Sequence, residues 1–358
     1  MLNLKTGIVE KIIDAREGSM EIIVNINGKL EKAIAYKSLI DNIEEGNEII
    51  LNTTAQDLKL GSGGYHFVLA NLKKTTKQSM KNGHIMKLRY TPIQIRVNSV
   101  EEQGSKYHHV FNEFNSLKGM PVLIGGLHSV LAPLTVVLKG LNTRLSIAYI
   151  MTDGGALPID FSKTVRYLKK EGYIDGTITI GHAFGGDLEC INIYNGLIAA
   201  KEILNCDICI VSMGPGIIGT GTKYGFTGIE QGNIIDAVND LEGVPICIPR
   251  ISFKDRRKRH FGISHHSITV LSKIAKTKAY LGIPKFLDER EAIIKNQIAT
   301  HDIHKKHNVL FTQYSDIINM LKKSNITMDT MGRTLKDDMD YFITIGVNGK
   351  LAESLIQF

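Results

Sequence analysis

Hydrophobic positions along the chain follow two rhythms. Over the first hundred residues they fall in short Ile/Val-rich runs at 7–14, 20–26, 30–36, 47–52 and 65–69. Asn27-Gly28 between the second and third runs is the signature of a two-residue hairpin turn. Gly46 and Gly61-Ser62-Gly63-Gly64 mark further turns. Short strands at this spacing predict a small barrel of the SH3-like or OB-like kind over residues 1–105. From about residue 120 the rhythm changes. Continuous apolar runs at 122–124, 146–151, 177–180, 208–213, 245–249, 279–283 and 309–312 fit strands buried on both faces. Helical stretches separate them, at 128–140, 160–171, 187–204, 228–240, 266–276, 288–300 and 314–323. Strand and helix in alternation mean βαβ units. The expectation over 118–358 is therefore a Rossmann-like α/β domain with a mostly parallel, doubly wound sheet. Residues 331–357 read as a loop and a closing helix.

The uncharged stretch 121–138 just reaches the length of a membrane span. Gly125-Gly126, His128 and Pro133 break it, so a buried strand, a turn and a helix describe it better. The N-terminus places Lys5, Glu10, Lys11 and Asp14 where a signal peptide needs an apolar run. Apolar residues at 43% and charged residues at 22% exclude global disorder. The four cysteines are too few for a disulfide scaffold, and the expected compartment is the cytoplasm. Cys206 and Cys209 straddle a predicted strand start with no second pair elsewhere, which reads as packing.

In an open parallel sheet, ligands bind beyond the carboxyl ends of the strands. Five predicted strands in succession end in glycine or polar residues: Gly125-Gly126-Leu127-His128, Thr152-Asp153-Gly154-Gly155, Gly181 to Glu189, Gly214-Pro215-Gly216, and Arg250-Ile251-Ser252. The fourth of these loops, 212–232, is the most unusual, with seven glycines in 21 residues. Glycine lets main-chain N–H groups approach an anion. Gly214, Gly216, Gly219 and Gly221, with Thr220, Thr222 and Lys223, form a candidate phosphate or carboxylate cradle. Its glycine spacing is neither that of a P-loop nor that of a dinucleotide fingerprint.

Charge sharpens this picture. The net +7 is not spread evenly. Residues 72–96 carry seven basic side chains and no acidic one, and residues 254–260 add a net +4, so the rest of the chain is slightly acidic. The first stretch reads as a solvated connector or a nucleic-acid surface. The second lies beside the glycine loop, with Arg256, Arg257 and His260 as candidate anion clamps, because guanidinium forks match phosphate and carboxylate oxygens. Ser264 is placed to cap a helix that opens with His265 and His266, candidates for general acid/base work or metal ligation. Successive helical side chains diverge by about 100°, so at most one of this pair is expected to face the ligand. Asp153, Asp187 and Glu189 would orient that histidine or, with His182, hold a divalent ion. No tight ligand spacing joins these four, and the sequence names no cofactor. His128 reads as a satisfied histidine at a helix start, and His301, His304 and His307 read as surface residues.

Taken together, these motifs resemble the uncharacterised bacterial DUF3866 family. The residues that carry the resemblance are Gly64-Tyr65, Arg89-Tyr90-Thr91-Pro92, Glu102 to Ser105, Asp153 to Pro158, Ala183 to Glu189, Gly214-Pro215-Gly216, Gly219 to Lys223, the His260 to Ser267 segment, and Thr330-Met331-Gly332-Arg333. They span nearly the whole chain. In similar proteins the place of His182 is often glutamine, which moves weight to Asp153, Asp187, Glu189 and the His265-His266 pair. The resemblance implies an architecture and no activity.

The leading expectation is an enzyme or binding protein for a small anionic ligand of the nucleotide or sugar-phosphate type, acting as a homo-oligomer without a membrane. One alternative is a nucleic-acid-binding protein that uses the barrel and the basic 72–96 segment. Sparse aromatics in the barrel and the lack of any Trp weaken base stacking as its basis. The other alternative is a structural protein that docks a partner.

Overall fold

The computed structural model describes residues 2–40, 42–73 and 83–356. The chain divides into two compact units, Met1–Asn98 and Ser99–Phe358. In the first unit, strands β1 (Leu4–Ala15), β2 (Ser19–Ile26), β3 (Lys29–Tyr36), β4 (Glu48–Asn52) and β5 (His66–Asn71) close into a barrel in the order β1-β2-β3-β5-β4. The predicted hairpin turn is formed, with positive φ at both Asn27 and Gly28. Val9, Ile22, Val24, Ile49, Leu51 and Val68 fill the interior. Of the basic connector, residues 74–82 lie outside the described residues. Its remaining part is not simply solvated, because Ile85–Lys87 pairs with Ile95–Val97 and Lys87 is buried.

The second unit holds an eight-stranded sheet, parallel throughout. Its strands are β6 (Pro121–Gly125), β7 (Ile147–Thr152), β8 (Gly176–Thr179), β9 (Leu188–Glu189), β10 (Ile208–Met213), β11 (Val244–Cys247), β12 (Tyr280–Pro284) and β13 (Asn308–Thr312). Their spatial order is β9-β8-β7-β10-β6-β11-β12-β13. Six of the seven continuous apolar runs have the meaning read from them, whereas β13 is an edge strand with Leu310 exposed and its other apolar side chains half-buried. In β10, Ile208 and Ile210 enter one core while Cys209 and Val211 enter the other, and β7 alternates the same way. One face is covered by α1 (Leu131–Leu141), α2 (Lys163–Lys170), α7 (Ser315–Lys323) and α8 (Met339–Ser354). The other is covered by α3 (Ile193–Ile198), α4 (Gln231–Asp240), α5 (His265–Thr269) and α6 (Glu289–Thr300). A parallel sheet with helices on both faces is consistent with a Rossmann-like core. No helix among the described residues is long and apolar enough to cross a membrane.

Three local expectations need correction. The helix expected over 187–204 begins only at Ile193, because Leu188 and Glu189 pair with Ile178 and Thr179 as an added edge strand. Residues 99–105 fall in the second unit rather than the first, and the Val100 N–H donates to Glu189 O. His307 is buried rather than surface: its Nδ1 accepts the Ala279 N–H at 3.0 Å and its Nε2 lies 2.8 Å from Leu271 O. The four cysteines are free and buried, and burial pushes the Cys206 and Cys247 thiols up to about 12, so they pack as apolar side chains.

Candidate functional site

A cavity of about 230 Å³ opens over the carboxyl ends of β10, β6 and β11. Strand order explains this position. β6 is the central strand. The chain leaves it toward one face through α1 and returns from β10 to β11 through α4 on the other, so the loops part over it. Three of the five glycine or polar strand ends line the cavity: Gly126 and Leu127 after β6, the 217–221 loop after β10, and Ile248 to Arg250 after β11. The ends of β7 and β8 do not, because β10 stands between them and β6.

The segment after β11 supplies the charged part of the wall. Ile251–Ser252 and Gly262–Ile263 pair antiparallel, which turns the basic run into a closed hairpin. Gly262 holds the turn at φ +69°, where a Cβ would also meet Gln297 Oε1 at 2.4 Å. Arg250 is clamped at both ends of its peptide: its N–H donates to Ser267 Oγ at 2.9 Å, and its carbonyl accepts the Ser264 N–H at 2.8 Å. Its side chain is 10% exposed and donates from Nη2 to Asp255 Oδ2 at 3.2 Å. Arg250 Nε and Nη1 are buried without a hydrogen-bond partner. Asp255 also takes both arms of Arg257, at 2.9 and 2.8 Å, and these guanidinium partners hold its carboxyl far below the usual carboxylate range. Arg333 bridges Asp255 and Asp338 at 3.6 and 3.2 Å.

Three histidines stand against these arginines. Ser264 caps α5 as expected, and its Oγ accepts the His266 N–H at 3.3 Å. The same oxygen lies 2.7 Å from His260 Nδ1. His260, His265 and His266 offer nitrogen atoms that all lie within 4.8 Å of one another. His266 lines the cavity and His265 does not, yet their rings are only 4.1 Å apart. The His266 ring also stacks on Phe226 at 4.1 Å and 13°, and the backbone passes close by at Gly219, where a Cβ would sit 3.2 Å from His266 Cε1. Burial first, and the nearby arginines after it, push His260 down to about 3. Burial, then His265 and Arg250, push His266 down to about 4. His265 is lowered as well, by burial and then by Arg259 and Arg257. The cluster therefore presents neutral imidazoles at neutral pH, and Nε2 of both His265 and His266 is buried without a partner.

The remaining sequence candidates are distributed as follows. Gly219, Gly221, Arg257, His260 and His266 come together at the cavity. Gly214 and Gly216 line a second cleft of about 420 Å³ beside His128 and Lys163. Thr220 and Thr222 turn their hydroxyls inward: the two oxygens lie 2.9 Å apart, Thr220 Oγ1 donates to Gly225 O, and Thr222 Oγ1 accepts the Gly225 N–H. They brace the glycine loop rather than present donors to a ligand. Lys223 is exposed with its Nζ over the Tyr224 ring, and Arg256 is exposed off the cavity wall.

Asp153, His182, Asp187 and Glu189 are not gathered into a metal site, since the one group of metal-competent side chains among the described residues is the histidine triad. Asp187 accepts from the Thr177 N–H and hydroxyl and pairs with Lys169. Glu189 accepts from Thr179 Oγ1 and the Gly185 N–H, and Asp153 accepts the His182 N–H at 3.3 Å. The first two fasten the short edge strand, which the expected helix over 187–204 concealed.

A model of the family described as a protein of unknown function, DUF3866, matches residues 32–349, from within β3 of the barrel to near the end of α8. The chain belongs to the DUF3866 family. Its match spans both units, so the barrel and the α/β unit belong to the family together. Comparison with curated proteins gives no match.

In this DUF3866 chain Arg250 is a cavity residue that its sequence marks only as the start of a polar strand end, as it marks the other candidates. The denser run at 254–260 drew the assignment instead. Glu230, off the lining of the cavity, is a second position whose burial the sequence does not mark. Burial raises its carboxyl to about 7 against a 2.6 Å hydrogen bond from Thr152 Oγ1.

Proposed function

We propose that the cavity over β10, β6 and β11 binds the anionic end of a small phosphate-bearing ligand. Arg250 carries this reading. A guanidinium buried with two N–H-bearing nitrogens unpartnered costs several kcal/mol, and a bidentate oxyanion removes that cost. Its clamped backbone and its single bond to Asp255 hold the fork in place before a ligand arrives. Arg257 and Arg259 line the same wall and add positive potential. The cavity's ~230 Å³ lies below the roughly 300–1,000 Å³ of drug-sized sites, which favours one phosphoryl group with a small organic part over a dinucleotide.

The test is a thermal-shift series with inorganic phosphate, sulfate and small phosphate esters at constant ionic strength. A ligand at 100 times its Kd stabilises the wild type by about 2.7 kcal/mol, a rise of several degrees in Tm. Arg250→Gln is expected to abolish that rise while keeping the Asp255 contact within reach, and Arg250→Lys to retain a fraction of it. An equal rise in Arg250→Gln and wild type defeats the reading.

A further inference from the structure

Beyond anion binding, we propose that His260, His265 and His266 form a three-imidazole site for a divalent transition metal of the zinc type, with a fourth position open toward Arg250. Three observations support it. The nitrogen atoms the three residues offer lie within 4.8 Å of one another, so small rotations about their side-chain bonds bring them around a single ion. Nε2 of His265 and of His266 is buried without a partner, a state that a metal ion resolves for both. His260, 3% exposed, has its Nδ1 on Ser264 Oγ at 2.7 Å, which leaves Nε2 for an ion and fixes the ring as ligating histidines are usually fixed. Three histidines and an open position are the donor set of a catalytic rather than a structural zinc site.

Charge decides what completes the coordination. A dication beside Arg250, Arg257 and Arg259 is repelled unless an anion joins it, so the fourth ligand is an oxyanion shared between the metal and the Arg250 fork. Only this last clause rests on the anion-binding reading. The metal site itself does not.

Untagged protein, stripped with a chelator and dialysed, is titrated with Co²⁺ and then Zn²⁺. Uptake of about one ion per chain, with the intense visible bands of four-coordinate Co²⁺ and their loss on adding Zn²⁺, is expected. His260→Gln and His266→Gln are expected to weaken binding by more than about 100-fold, and Ser264→Ala by about 10–100-fold through lost ring orientation. A His301→Gln/His304→Gln double variant, altered at two exposed histidines, is expected to titrate like the wild type. X-ray absorption on the wild-type Co²⁺ protein counts imidazole ligands even where a variant fails to fold. No bands in folded wild type, bands unchanged in folded His266→Gln, or an absorption spectrum without imidazoles overturns the site. Inorganic phosphate is then added to the Co²⁺ protein. A shift of the bands supports the shared oxyanion, whereas Co²⁺ bands that phosphate leaves unmoved uphold the metal site and overturn the shared ligand, and a thermal shift with phosphate in the same metal-free protein reports anion binding at Arg250 separately.

Discussion

Ser264 shows how much one side chain settles here. Its hydroxyl ends α5 by accepting from His266 and holds the His260 ring at the same time, so a helix cap and a site geometry share one oxygen. Gly262, two residues earlier, makes the hairpin that brings His260 to that oxygen. Gly262→Ala meets both a positive φ and the Gln297 amide, which is held by the Ile263 N–H and the Phe261 carbonyl. The expected cost is about 2–3 kcal/mol, read as a lower urea midpoint at unchanged m. A cost below about 0.5 kcal/mol contradicts this account of the turn. Local chemistry of this kind is legible in sequence: the Ser264 cap and the Asn27-Gly28 turn both stand where they were expected. His128 was legible too, seated between Tyr149 OH at 3.2 Å and Ser162 Oγ at 2.7 Å. Arg250 and His307 were not, because burial depends on Asp255, Ser264 and Ser267 at the first and on Leu271 and Ala279 at the second, contacts that the sequence does not place.

At the scale of elements, the apolar runs and most of the intervening helices were legible because a strand covered by helices on both faces carries mostly apolar side chains on both. The two-residue edge strand β9 was not, since two residues carry no period. The closing helix α8 was expected as an element, but its burial was not. It is enclosed along most of its length, and Asn348 reaches from it to the backbone of β12. Asn348 Oδ1 accepts the Gly282 N–H at 2.8 Å, and its Nδ2 donates to the carbonyls of Gly282 and Thr344 at 2.9 and 2.8 Å. Asn348→Ala strands two polar groups of a buried strand and is expected to cost about 2–4 kcal/mol in chemical denaturation. Asn348→Ala at wild-type stability removes α8 as the brace of that strand. Because Tyr341 on the same helix lines the cavity, the variant is also expected to weaken ligand-induced stabilisation.

Across the whole molecule, acid sensitivity follows from buried histidines. Burial depresses His128 to about 4, below its unfolded value of 6.5, so the unfolded chain takes up a proton first as pH falls. The stability this represents is present above about pH 6.5 and is lost progressively toward pH 4. Glu230 works in the opposite sense. Its raised pKa of about 7 gives a contribution that is full below 4.5 and lost as pH rises to about 7. His128→Asn is therefore expected to lose about 2–3 kcal/mol less than wild type between pH 7 and 4.5, and Glu230→Gln to lose more than wild type. Parallel pH profiles for all three proteins contradict these assignments. The same global view accounts for the site. The sequence put its candidates in the loops that follow the strands, but strand order selects which loops share a cavity, and that order brings together β10, β6 and β11 while setting Asp153, Asp187 and Glu189 apart. The most direct measurement is an anomalous difference map from a crystal soaked in tungstate, a heavy stand-in for phosphate. The predicted result is a peak within hydrogen-bonding reach of Arg250 Nε and Nη1 beside His266, absent in Arg250→Gln. A cavity with no peak in wild type, or one that persists in the variant, contradicts the account.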